Sequence, residues 1–213
     1  SPSDAARYDY AVQVEGGVVA DIYHTMKTVW QRVQWFQGGG WDVPRLVAKT
    51  ASAGKQRARL VVRDNVRYRG AIEQAYLRQI QRARHHIVIA SAYFLPGLRI
   101  RHALCAAAQR GVKVEILLQG RVDHAILHYA TRMLYLDFLR SGIQLYEYQA
   151  GYMHAKVAVV DGVWATVGSS NIDPFSLLLA REANVVVLDS AFARQLGAHL
   201  ANKIATTALP VQP

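Results

Sequence analysis

The pattern of apolar and polar positions alternates between strand-like and helix-like stretches along the chain. Residues 8–16 (YDYAVQVEG) alternate apolar with polar positions, which predicts a strand, and residues 18–36 carry apolar side chains at helical spacing. Further strands are predicted in RARLVVRDN, HHIVIASAYFL, VKVEILLQG, IQLYEYQ and EANVVVLDS, with amphipathic helices between them. Such alternation implies βαβ units. We therefore predict an α/β fold with a mixed, largely parallel sheet sandwiched between helices.

Residues 153–171 (MHAKVAVVDGVWATVGSSN) predict an antiparallel hairpin in this sheet, with Asp161 and Gly162 at its turn. Because side chains along a strand alternate between faces, His154 and Lys156 share a face, roughly 6 to 7 Å apart. The returning strand then brings back a glycine, a hydroxyl and an amide beside them: Gly168, Ser169 and Asn171.

This set of groups predicts a phosphate site. Lysine supplies positive charge, serine and asparagine donate hydrogen bonds, and glycine lets the backbone approach. Histidine attacks phosphorus or carries a proton near neutral pH. No cofactor and no metal is expected, since the sequence has no cluster of carboxylates or cysteines of the kind that binds one.

The charge of the chain favours an anionic partner. Lys and Arg number 25 against 15 Asp and Glu, a formal net charge of +10, which suits nucleic acid, an anionic membrane surface or a phosphorylated substrate. Part of the excess is concentrated in one stretch, where either a solvated face or an anion-facing patch fits: Lys49, Lys55, Arg57, Arg59, Arg63, Arg67, Arg69, Arg78, Arg82 and Arg84. No uninterrupted apolar run reaches the length of a membrane span.

The chain has a single cysteine, Cys105, and therefore no internal disulfide, which predicts a reducing compartment.

Aromatic side chains cluster at the end of the first predicted helix and in the glycine-rich stretch after it. We expect Trp30 to pack in the core, and Trp35, Phe36 and Trp41 to face a membrane interface, where amphipathic aromatics are favoured.

Two segments of the chain resemble each other. Residues 9–30 and residues 182–200 each begin with an acidic residue, Asp9 and Glu182, and continue with an apolar strand, a short break and an amphipathic helix. This similarity predicts two repeats, of which the first lacks its hairpin.

The hairpin carries a known signature. The pattern H-x-K-x4-D-x6-G-S-x-N is matched without a gap by His154, Lys156, Asp161, Gly168, Ser169 and Asn171. It resembles the signature of the phospholipase D superfamily, and the segments around it are similar to bacterial cardiolipin synthases in particular. The resemblance implies a phospholipase D-type fold. In it, residues 1–48 form the tail of the N-terminal repeat plus a linker, and residues 49–213 form the C-terminal catalytic repeat.

The resemblance also implies a mechanism. In the family, two histidines face each other across the repeat interface. One forms a phosphohistidine, and the other protonates the leaving alkoxide and then deprotonates the incoming alcohol. His154 would be the acid and base, with Glu182 orienting its ring, and Asp161 would act structurally at the turn. The substrate phosphate would be held by Lys156, Ser169 and Asn171. The nucleophilic histidine would come from the missing N-terminal repeat or a second chain, so this chain alone is expected to be inactive.

The implied activity is transfer of a phosphatidyl group to phosphatidylglycerol. The implied location is the cytoplasmic side of a bacterial inner membrane, as a peripheral protein, and nucleic acid is not the expected partner. Three alternatives stay open: a phospholipase D-type hydrolase, a nuclease assembled from two single-motif chains, and an inactive fragment that binds anions.

Overall fold

Strands and helices alternate through the computed structural model, which describes residues 7–38, 51–64, 68–121, 125–173 and 181–212. The strands are β1 (Arg7–Tyr8), β2 (Arg57–Arg63), β3 (His86–Ser91), β4 (Lys113–Gln119), β5 (Gln144–Tyr148), β6 (Tyr152–Met153), β7 (Lys156–Val160), β8 (Trp164–Gly168), β9 (Glu182–Leu188) and β10 (Ala208–Pro210). The helices are α1 (Val18–Phe36), α2 (Ala71–Arg82), α3 (Leu98–Gln109), α4 (Ala125–Arg132), α5 (Tyr135–Arg140) and α6 (Ser190–Thr207).

One large sheet has the strand order β10-β5-β4-β3-β7-β8-β9-β2. The predicted mixed sheet between helices is confirmed, although its parallel part is confined to β3, β4 and β5. The remaining pairings are antiparallel. The parallel share is smaller than predicted because, beyond β5, the chain returns through the β7–β8 hairpin and a further antiparallel strand. These connections need no crossover helix.

Helices cover both faces of this sheet. On one face α2, α3 and α5 bury apolar side chains such as Ile72, Leu104 and Phe138, and on the other α6 buries Leu196 and Leu200. The central strand β3 lies between the two layers, and for this reason its sequence HIVIAS is almost continuously apolar.

The first predicted strand is much shorter than expected. Only Arg7–Tyr8 forms a strand, and it pairs in parallel with the two-residue strand β6. Tyr8, Tyr10 and Val12 nevertheless pack against the core on the α6 side. The alternation in the sequence therefore correctly indicates which side of this segment is buried. It does not make the segment a strand, because a strand also needs a neighbouring backbone to pair with.

A turn interrupts the helix predicted between β4 and β5. Helix α4 ends at Arg132 and α5 begins at Tyr135, with the N–H of Leu134 donating to the carbonyl of Thr131 at 3.0 Å.

Helix α1 forms over its predicted residues, but none of its side chains is buried. The prediction that Trp30 packs in the core is wrong, because its side chain is 47% exposed. Trp35 and Phe36 are also exposed, and Trp41 lies outside the described residues. None of the described helices combines the length and the apolar character needed to cross a membrane.

Candidate active site

His154 is hydrogen-bonded to a carboxylate from the start of the chain. Its Nδ1 lies 2.8 Å from Oδ2 of Asp9. The carboxylate fixes the orientation of the ring and leaves Nε2 as the nitrogen available to a reacting group. The side chain of His154 is 35% exposed, which keeps the ring accessible.

The position of Asp9 follows from its neighbours. Tyr8 and Tyr10 pack toward α6, where the hydroxyl of Tyr8 donates to that of Tyr10 and the ring of Tyr8 stacks on Tyr148 at 5.4 Å. Asp9, between them, points the other way. The His154 N–H donates to the carbonyl oxygen of Tyr8 at 2.7 Å, so the two segments are also joined through their backbones.

Lys156 is buried at the start of β7, opposite Ser91 of β3. Its Nζ donates to the carbonyl oxygen of His154 at 2.5 Å. Burial lowers the pKa of this ammonium group, and the charges of Asp9 and Glu182 partly offset that effect. The structure therefore brings the ammonium group of Lys156 next to His154, through the backbone carbonyl of that residue.

Glu182 does not take the position expected of it. The carboxylate on His154 is that of Asp9, and Glu182 instead accepts a hydrogen bond from the hydroxyl of Ser169. Ser169 also receives the N–H of Ala183 at 3.1 Å, so its hydroxyl, expected on the substrate phosphate, is directed to the carboxylate here. Burial raises the pKa of Glu182, while the Ser169 hydroxyl and Lys156 lower it by smaller amounts.

Gly168 permits the close approach of β8 and β9 beside this site. A Cβ atom at Gly168 would lie 2.1 Å from Oδ1 of Asn184 and 2.6 Å from its Cα. Asn184 is buried and braces the turn that follows, since its Oδ1 accepts from the N–H of Ser170 at 3.4 Å and its Nδ2 donates to Thr166 at 3.2 Å. Asn184 was not singled out in the sequence.

Asn171 lies in the segment that closes the site. The N–H of Leu95 donates to the carbonyl of Ile172 at 2.8 Å and holds this segment against the end of β3. Asn171 is buried, and its Oδ1 has no hydrogen-bond partner. This oxygen is an acceptor, available to a hydroxyl or N–H group of a ligand.

Asp161 acts away from these groups, at the far end of the hairpin. Its carboxylate accepts the backbone N–H groups of Arg84, His85 and His86, each at 2.9 Å. Burial alone would raise the pKa of Asp161, but these three hydrogen bonds outweigh it and lower the pKa. The position fits the structural role expected at the turn.

Two further charged residues belong to the site, and the sequence pattern assigned neither of them to it. Arg63, which is fully buried, lies directly opposite Glu182 in the β2–β9 pairing. Asp173 is buried and interacts electrostatically with both Lys156 and Glu182. The spacing of Asp173, two residues after Asn171, was a possible signal for it. The signal for Asp9 was its alignment with Glu182 in the internal similarity.

All of these groups except Asp161 meet where β3, β4 and β5 have their carboxyl ends, the edge at which open α/β sheets bind ligands. They provide an imidazole, a buried ammonium group, a buried guanidinium group and two amides beside three carboxylates. Among the residues that the structure describes, no group of three or more histidine, cysteine or carboxylate side chains is arranged to hold a metal ion.

Known structures share this arrangement of strands and helices. A phospholipase D family member, Nuc from Salmonella typhimurium, superposes with a TM-score of 0.62 at 23% sequence identity, over 75% of this chain and 100% of that chain. The fold is therefore of the phospholipase D type.

Sequence comparison then gives the family. Residues 76–204 match the family described as "Cardiolipin synthase, PLD-like domain", and the chain belongs to this family. It is 41% identical to cardiolipin synthase B of Salmonella typhi over 90% of its length, and 40% identical to cardiolipin synthase B of Escherichia coli K12 over 94%. It spans about half the length of these relatives, 46% and 48%.

Proposed function

We propose that the protein is a phosphatidyltransferase that makes cardiolipin, and that this chain carries one of two half-sites. In the proposed reaction a phosphatidyl group passes to the glycerol hydroxyl of phosphatidylglycerol. The contact between Asp9 and His154 is the observation that carries the proposal. A carboxylate from the leading segment is hydrogen-bonded to the ring of the hairpin histidine and orients it for proton transfer. Family membership and the two relatives named cardiolipin synthase B support the choice of reaction.

The proposed reaction has two displacement steps at phosphorus. In the first, a second histidine attacks phosphorus, the bond to the leaving alcohol breaks, and Nε2 of His154 gives its proton to the leaving oxygen. In the second, the same nitrogen takes the proton of the incoming hydroxyl, whose oxygen attacks phosphorus and breaks the phosphorus–nitrogen bond. Lys156 and Asn171 stabilise charge on the phosphoryl oxygens. Ser169 holds the carboxylate of Glu182.

The second histidine comes from a preceding repeat or from another chain. Asp9 and Glu182 occupy matching positions in the two similar segments, so we assign to Glu182 the role toward that histidine that Asp9 has toward His154. Its engagement with Ser169 and its position opposite Arg63 support this, because both keep the carboxylate in place while it has no imidazole partner.

The division into repeats follows the same logic. Residues 1–48 form the tail of the first repeat plus a linker, and residues 49–213 form the second repeat. Helix α1 supports this division, since Met26, Val29, Trp30 and Val33 expose one apolar side of it. We assign that side to the sheet of the preceding repeat, as α6 covers its own sheet.

The protein is peripheral on the cytoplasmic side of a bacterial inner membrane, where an anionic lipid suits its positive charge.

Labelled phosphatidylglycerol in vesicles tests the proposal with the full-length protein. Formation of cardiolipin together with free glycerol is expected. Phosphatidic acid as the product would assign a hydrolase, and cleavage of DNA in a parallel assay would assign a nuclease.

Replacing His154 with Ala should lower turnover by on the order of 10³-fold or more. His102→Ala, on the exposed side of α3, is the matched control and should leave turnover unchanged. Full activity in His154→Ala would remove this residue from the mechanism.

A further inference from the structure

A cleft lined by arginines lies on the α2 side of the sheet, away from His154. Its volume is about 400 Å³, and it lies between the edge strand β2 and helix α2. Four arginines line it, together with an apolar floor that includes Trp164 and Val186: Arg57, Arg59, Arg78 and Arg82. The cleft is at the opposite end of β9 from Glu182, roughly 20 Å away at the rise of a β-strand.

The secondary structure places the four arginines around one cleft. Arg57 and Arg59 are two residues apart on β2 and project to the same face of the sheet as the buried Val61. Arg78 and Arg82 are one turn apart on α2, on the side that also carries Ala75. Two elements that pack against each other therefore each direct a pair of arginines into the space between them.

No acidic partner offsets this charge. None of the four arginines forms an ion pair with any residue that the structure describes. Of the acidic groups on the surrounding elements, Glu73 faces Arg99 at 3.5 Å, Glu182 lies at the far end of β9, and Asp189 caps α6 by accepting the N–H of Phe192. The cleft is therefore lined by positive charge without a compensating carboxylate among the described residues, which favours an external anion.

We propose that this cleft binds the phosphate of an anionic phospholipid in the membrane, as a second lipid site separate from the catalytic end. Arginine suits the role because its planar guanidinium group forms paired hydrogen bonds with phosphate oxygens. The apolar floor formed by Trp164, Val186 and Leu188 suits the glycerol and upper acyl region next to that phosphate. The inference extends the proposed function, since it describes how the enzyme is held on the bilayer that contains its substrate.

Binding to vesicles tests the site without requiring catalysis. We would measure sedimentation of the chain with phosphatidylcholine vesicles that contain phosphatidylglycerol, and with phosphatidylcholine vesicles alone. Replacing Arg78 and Arg82 with Gln should weaken binding to the anionic vesicles by roughly 10- to 30-fold, at about 1 kcal/mol for each basic residue near the surface. The control pair, Arg140→Gln with Arg194→Gln, removes the same charge from α5 and α6, outside the cleft, and should change binding by less than about 3-fold.

Two results would overturn the proposal. Equal loss in the cleft and control pairs would mean that the arginines form only a solvated charged surface. Preferential loss of binding to a DNA duplex, or to soluble glycerol phosphate, with vesicle binding unchanged, would assign the cleft to another ligand.

An activity measurement separates this proposal from the proposed reaction. In the full-length protein, the cleft variant should turn over a monomeric short-chain phosphatidylglycerol normally and lose activity only on vesicles. If the protein had a different activity, the vesicle-binding measurement would still test the lipid site, because it does not depend on catalysis.

Discussion

Nδ1 of His154 lies 2.8 Å from Oδ2 of Asp9, although the two residues are 145 positions apart in the chain. The contact joins the leading segment to the hairpin. A histidine whose Nδ1 faces a carboxylate keeps one ring orientation, and the carboxylate stabilises the imidazolium that forms when Nε2 takes up a proton. We therefore infer that Asp9 is a positioning residue for His154.

Replacing Asp9 with Asn tests this role. The amide preserves the shape of the side chain but removes the charge, so we expect kcat of the full-length protein to fall by on the order of 10²- to 10⁴-fold. KM should change little, because Asp9 would not touch the substrate. Asp21→Asn, in the first turn of α1, is the control and should retain activity. A normal kcat in Asp9→Asn, with the fold intact, would show that His154 needs no carboxylate.

The sequence predicts the side of each strand better than the partner of each residue. Alternation predicted that His154 and Lys156 lie together, because strand geometry is local, and in the structure Lys156 Nζ contacts the carbonyl oxygen of His154. The partner of His154 was assigned to Glu182, which is much closer in sequence, whereas the structure has Asp9. Local pattern contains no information about which segment crosses the end of the sheet. The prediction that Trp30 is buried was wrong for a related reason. Helical spacing identifies the apolar side of a helix, but not what covers that side.

Gly168→Ala should distort the site through its backbone. The added Cβ would meet Oδ1 of Asn184 at 2.1 Å and its Cα at 2.6 Å, and a backbone atom in a central sheet cannot move aside cheaply. We expect a loss of about 2 to 3 kcal/mol of unfolding free energy, seen as a drop of roughly 5 to 10 °C in Tm.

Gly197→Ala is the matched control for this substitution. Its Cβ would lie 3.8 Å from Val159, an ordinary contact, and alanine favours the helix α6 by up to about 1 kcal/mol. Equal stability of the two variants would contradict the close packing of β8 and β9.

Asp161 should stabilise the fold in a pH-dependent way. Its folded-state pKa is below its ordinary value because of the three backbone N–H groups it accepts, so its contribution is present above the unfolded pKa. It is lost as the pH falls through the folded pKa. Asp161→Asn, which tolerates the positive φ of 52° at this position, should cost about 1 to 2 kcal/mol at pH 7.

Urea unfolding of the two proteins at several pH values measures this effect. The difference between wild type and Asp161→Asn should shrink on acidification below the ordinary range for an aspartate. The exposed Glu15→Gln is the control and should show no such trend. A difference that is constant with pH would mean that the substitution acts by something other than the charge.

Glu182→Gln should separate stability from activity. Burial raises the pKa of Glu182, so the stability linked to its neutral form is present below its ordinary value of 4.5 and is lost as the pH rises through the folded pKa. The Gln variant has no charge to bury, and at pH 7 we expect it to be more stable than wild type. Its kcat should nevertheless fall, because the second histidine loses its carboxylate.

Denaturant unfolding between pH 4 and pH 7 measures the stability of Glu182→Gln, and turnover of phosphatidylglycerol by the full-length protein measures its kcat. A variant that is less stable at pH 7 but fully active would mean that Glu182 serves the fold, through its hydrogen bond with Ser169 and its place opposite Arg63, and serves no histidine.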